Sequence, residues 1–97
     1  MKLRNLDLED AFRLARILSE KTDVEKLSPQ YDAVDFVSEI VGLLSPEEYI
    51  KCIEILSGEN ENTIKTYVSL DILTYFIEGI KKNQIVSLLS FYKSLGI

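Results

Sequence analysis

Few residues in this chain could do chemistry. It has one Cys, Cys52, and no His, so zinc sites, Cys–His or Ser–His nucleophile pairs and intramolecular disulfides have nothing to be built from. Carboxylate pairs exist, since Asp32 with Asp35 and Asp35 with Glu39 share one helical face. Acid–base work by such a pair requires a concave, partly dry setting that separates the two pKa values. These acids lie opposite a wide apolar stripe, which predicts a solvated face instead. Glu59-Asn60-Glu61-Asn62 is rich in oxygen atoms but lacks the Asp-x-Asp-x-Asp-Gly spacing and closing Glu of a calcium loop, so it reads as a turn. Cys52 shares an apolar arc with Tyr49, Ile53 and Leu56 and is expected as a buried structural thiol. The bases cluster only as Arg4 with Arg13 and Arg16, and as Lys81-Lys82. At a pI near 4.7, phosphate repulsion outweighs so few contacts, and nucleic acid is not expected as a partner. The expectation is no catalytic site, no cofactor and no metal: the chain is not read as an enzyme.

The elements that must position these side chains belong to one domain over residues 1–97, with 1–6 as an extended or frayed arm. The chain is 46% apolar and 28% charged with a net charge of −5, too little charge for that apolar content to leave it disordered. No apolar run approaches 18 residues, and MKLRNLDLED carries acids where a signal peptide has its apolar stretch. The expected location is the cytoplasm, without membrane contact.

Helical periodicity dominates, which predicts an all-α bundle of four main helices plus one or two short ones, about 13 Å in radius of gyration. Asp7 N-caps a first helix whose stripe is Leu8, Ala11, Phe12, Leu14, Ala15 and Leu18. Thr22-Asp23-Val24-Glu25 fits a capping box that Pro29 cuts to a single turn. Ser28-Pro29 opens a helix to about Leu44, with Ala33, Val34, Phe36, Val37, Ile40, Val41, Leu43 and Leu44 over half its circumference, which predicts a central position. Ser45-Pro46-Glu47-Glu48 is a Ser N-cap, a Pro at the first helical position and a Glu completing a capping box; that helix runs to Ser57, and Gly58 suits a left-handed C-cap. A short segment is expected over Thr63 to Tyr67. Ser69 caps the next helix, with Leu70, Ile72, Leu73, Phe76, Ile77 and Ile80 on one side, ending at Lys81-Lys82-Asn83. A last helix carries Ile85, Leu88, Leu89, Tyr92 and Leu95 to Gly96.

Charge and apolar strays point to partner surfaces. Residues 1–21 carry five bases and four acids, residues 22–62 two bases and ten acids, and residues 63–97 four bases and two acids. The middle third is therefore an acidic face between nearly neutral ends. Ile17 falls on the wheel among Asp10 and Arg13, Ile55 between Glu48 and Lys51, and Val86 near Lys93. Each misses its helix's stripe, so Ile17, Ile55 and Val86, with Arg13 and Arg16, are the candidate partner-binding residues. They would bury another copy or a client helix laid in a groove.

The residue order also carries a resemblance. The opening MKLRNLDLEDAFRLARIL, the middle ILSGENENTIKTYVSLDIL and the closing FIEGIKKNQIVSLLSFYKSL are similar to the tail assembly chaperones of long-tailed bacteriophages and related prophages. Shared features are a basic-Leu start leading to Asp10-Ala-Phe-Arg-Leu-Ala-Arg16-Ile17, a Leu56-Ser57-Gly58 helix end before an acidic short segment, and a Ser-capped helix followed by a Leu- and Phe-rich one. Where many members have a Lys-rich segment after the first helix, this chain has the acidic DVEKLSPQYDAVD. The resemblance implies a small helical homo-oligomer that coats the tape measure protein in the host cytoplasm, helps recruit tail tube protein and is absent from the mature virion. The alternative reading from the residues is a small acidic regulatory adaptor for a basic surface of a host or phage protein.

Overall fold

The computed structural model describes residues 2–22 and 32–94. Within them the fold is all-α, as the periodicity predicts. Its helices are α1 (Leu8–Ser19), α2 (Ala33–Val41), α3 (Pro46–Ser57), α4 (Glu61–Ile64), α5 (Ser69–Lys82) and α6 (Ile85–Ser94). The radius of gyration is 12.5 Å. No helix among the described residues is long and apolar enough to cross a membrane.

Local chemistry sets most of the helix starts. The Asp7 carboxylate accepts the Asp10 N–H at 2.8 Å and Asn60 Oδ1 accepts that of Thr63 at 2.9 Å, each satisfying a first-turn donor that has no partner inside its helix. The capping box of α3 is complete: Ser45 Oγ accepts the Glu48 N–H at 3.1 Å and Glu48 accepts the Ser45 N–H at 2.9 Å. Hydrogen bonding from the Ser45 backbone, outweighing partial desolvation and helped by Lys21, holds the Glu48 carboxyl below its ordinary range.

Asp32, extended (φ −67°, ψ 134°), caps α2 by accepting the Val34 N–H on its carboxylate at 2.7 Å. Two other starts differ from expectation. Ser69 lies inside α5, whose N-cap is Val68 without a side-chain hydrogen bond. The short helix starts two residues early because Asn60, read as part of a turn, is its cap. The expected turn at Thr22 to Glu25, the helix start at Ser28-Pro29 and the end at Leu95-Gly96 fall wholly or largely outside the described residues.

The central helices are α3 and α5, not α2. α3 packs on α1, α4 and α5, and α5 on α2, α3 and α6, whereas α2 lies mainly on α5. Only Phe36, Val37 and Ile40 of α2 are buried, and Val34 and Leu43 remain half exposed. Close approach of α3 to α5 depends on Gly79, where an added Cβ would stand 3.1 Å from a Leu56 methyl carbon. Edge-on contact of Tyr49 with Phe76, centroids 5.4 Å apart, fills the same seam.

Residues 2–6 form neither helix nor loose end; they strap the C-terminal ends of α3 and α5. Leu6 N–H donates to Asn83 Oδ1 at 2.9 Å, and Asn83 Nδ2 donates to the Arg4 and Gly79 carbonyls. Arg4 donates to the Ile55 carbonyl at 3.1 Å and to Asp10 at 2.7 Å. The Tyr75 hydroxyl sits between the Lys2 and Leu56 carbonyls at 3.0 and 2.9 Å, and burial pushes its pKa up, which keeps it a donor. No base stands in the last turn of α3. Arg4, remote in sequence, supplies the cation that the negative end of that helix favours.

Candidate functional site

Outer faces of α1 and α6 meet at a cleft of ≈ 360 Å³ lined by Glu9, Phe12, Arg13, Arg16 and Tyr92. Its floor is aromatic: Phe12 and Tyr92 rings lie 5.9 Å apart and tilted by 51°. Tyr92 is buried and Phe12 half-buried, because α1 and α6 pack directly on each other. On α1 the spacing 9, 12, 13, 16 follows one helical face, so the two arginines stand together at the rim. Beside Tyr92, Phe91 is 60% exposed.

Charge at this rim is left over. Asp10 accepts from Arg4 at 2.7 Å and from Arg13 at 3.2 Å, so one carboxylate faces two guanidinium groups. Arg16 is exposed and has no ion-pair partner among the described residues. Glu9 is the one acid lining the cleft. An exposed cation pair over an aromatic floor is chemically a receptor for carboxylates attached to apolar side chains.

Of the five residues singled out from sequence, the structure brings Arg13 and Arg16 together in this cleft and places Ile17 on the same helix, half-buried against the core. Ile55 and Val86 are corrections. Both lie in the core, at 5% and 6% exposure. Ile55 misses the main stripe of α3 because that helix is enclosed on several sides, by α1, α4, α5 and the strap held at the Ile55 carbonyl. α6 likewise buries two sides, against α1 and α5. A single-stripe wheel cannot register a helix packed on two faces.

Among the described residues, the large apolar side chains that are exposed are others: Leu8, Val34, Leu43, Val68, Leu70 and Phe91. Five of these stand at or just beyond helix ends, where a side chain overhangs the core it was patterned for. Phe91 stands in the last turn of α6, three residues before its end at Ser94. Its angular offset from the Ile85, Leu89, Tyr92 stripe was the signal available in the sequence.

Cys52 is buried as expected, and burial, with the nearby Glu48 charge adding to it, pushes its thiol up to about 12. Asp32, Asp35 and Glu39 are exposed, in keeping with a solvated α2 face. Among the described residues, no group of three or more Asp, Glu or Cys side chains is placed to hold a metal ion. The chain matches no family model, and no curated protein or solved structure matches it.

Proposed function

We propose that this chain is a non-enzymatic protein-binding domain and, in the finer form that its resemblance implies, a phage tail assembly chaperone. In that role it coats the helical tape measure protein in the host cytoplasm and helps recruit tail tube subunits. The observation that supports the reading is the cleft between α1 and α6, where the Phe12 and Tyr92 rings share one open surface with Arg13 and Arg16; next to Tyr92 in the chain, Phe91 is 60% exposed. Scattered exposed apolar residues are ordinary, but aromatic rings grouped in an open cleft are the arrangement that receives an amphipathic helix. Exchange of such a partner requires apolar surface and solubilising charge, and no bond-making group.

Co-expression with the tape measure protein tests it. The expected result is that the long client becomes soluble and co-elutes with this chain. A client that stays insoluble, with no complex, overturns the chaperone reading.

The exposed acids of α2 around Val34 support a second reading, an acidic adaptor for a basic surface. Ionic strength separates the two: adaptor binding weakens steeply as salt rises, whereas apolar coating changes little.

A further inference from the structure

We infer that the α1–α6 cleft docks an acidic amphipathic helix, apolar side chains on the Phe12–Tyr92 floor and Phe91, carboxylates on Arg13 and Arg16. The inference rests on the helix-binding reading above and adds the face and the chemistry of the client. Charge complementarity carries it. Arg4 and Arg13 share the single Asp10 carboxylate, and Arg16 has no ionic partner among the described residues, so the rim keeps positive charge that Glu9 only partly offsets. The two arginines lie one helical turn apart, the spacing at which carboxylates at i and i+3 or i+4 of a client would face them.

The rest of the molecule confines such a client to this face. Residues 22–62 carry ten acids against two bases, and within them the exposed Val34 stands between Asp32 and Asp35. An acidic helix is repelled there and accepted at α1, while a basic helix would choose the reverse.

Two synthetic amphipathic peptides with the same leucine pattern, one with Glu and one with Lys on the polar face, provide the test. Each is titrated into the isotopically labelled full chain and followed by backbone chemical shifts. The acidic peptide is expected to bind and to shift Phe12, Arg16, Phe91 and Tyr92. Arg16→Glu should weaken it by about tenfold, the scale of reversing one exposed ion pair. The Arg13→Glu/Arg16→Glu double variant should transfer preference to the Lys peptide. Both side chains are exposed, and circular dichroism checks that the variants stay folded.

Preference of the unmodified chain for the Lys peptide, shifts confined to α2, or tighter binding of an oligouridylate at the cleft would each overturn the inference. If neither peptide binds but the tape measure protein still co-elutes, the cleft assignment fails and the chaperone reading stands. If neither peptide binds and co-elution also fails, both are wrong.

Discussion

The strap seam and the α1–α6 cleft are both places where polar groups meet apolar surface, yet they are completed differently. At the seam most of the groups satisfy one another, and Glu59 Oε2 beside Arg4 is the one buried side-chain polar atom without a hydrogen-bond partner among the described residues. Arg4 reaches the Ile55 carbonyl and Asp10, Asn83 takes the Leu6 N–H, and the Tyr75 hydroxyl directs its one proton between two carbonyls. At the cleft they do not: Arg16 has no ion pair among the described residues, and Phe91 faces solvent. Polar contacts closed mainly within the chain over a core define a structural joint, whereas a cation without an ion-pair partner over aromatic surface defines a place for another molecule. Substitutions at the seam should therefore change stability without changing partner preference, and substitutions at the cleft should do the opposite.

The largest effect expected is at Leu56. Its side chain is buried at 1% exposure and fills the space that Gly79 leaves. Leu56→Ala should cost about 2–5 kcal/mol, and for a domain of this size each kcal/mol lowers the melting temperature by about 4–8 °C. Urea unfolding measures the loss, and the fraction that remains folded should still prefer the Glu peptide. A change in that preference would break the separation between joint and cleft.

Gly58 comes next. It is left-handed, with φ +75°, and an added Cβ would stand 3.1 Å from Arg4 Nη1. Gly58→Ala should cost about 1–2 kcal/mol from the backbone alone, since the Arg4 side chain has room to swing. Tyr75→Phe is smaller, about 1 kcal/mol for the hydroxyl that bridges the strap to α3. Hydrogen exchange should show its signature at the strap: the Leu6 amide, held by Asn83, should exchange faster while α1 is unaffected.

The two ends of α3 show how much could be read beforehand. Its start is local. Ser45, Pro46 and Glu48 lie within four residues, and the capping box forms as their types and spacing dictate. Its Gly58 end was legible for the same reason. The cation and hydroxyl that complete that end come from Arg4 and Tyr75, far away in the chain, and no local pattern announces them. The same limit applies to Ile55 and Val86: a single helical stripe places them at a surface, and burial on a second face depends on neighbours that only the fold supplies. Arg13 and Arg16 line one cleft because both lie on one face of α1, a spacing visible in the sequence. Their aromatic floor requires Tyr92 from α6, a pairing with Phe12 that no local pattern announces.

Acid titration sharpens this contrast between local and remote closure. Glu48 has its folded pKa depressed, first by the Ser45 backbone hydrogen bond. Its contribution is therefore fully present above the ordinary value of 4.5 and is lost as pH falls from there through the folded value. The stability difference between the natural chain and Glu48→Gln, followed by urea unfolding, should shrink over that acid range. The difference caused by Tyr75→Phe should stay constant across it, because no carboxylate takes part in that hydroxyl's bonds.

The smallest effect on stability is expected at Phe91, and it discriminates best. Phe and Ser have similar helix propensities, and the side chain is already 60% exposed, so Phe91→Ser should leave unfolding within about 0.5 kcal/mol of the natural chain. The same variant should weaken the Glu peptide by about tenfold, because an aromatic side chain buried only in the complex contributes on the order of 1.5–3 kcal/mol. Val34→Ser is the matched control. Val34 is 51% exposed on the acidic α2 side, so this change should also leave stability nearly untouched, but it should spare Glu-peptide binding. If the two substitutions weakened binding equally, exposure alone would be governing association, and the pairing of aromatic floor with unneutralised arginine would carry no specificity. If Phe91→Ser instead destabilised the fold by more than about 1 kcal/mol with binding intact, Phe91 would belong to the joint between α1 and α6, and the cleft would be a structural seam like the one beneath the strap.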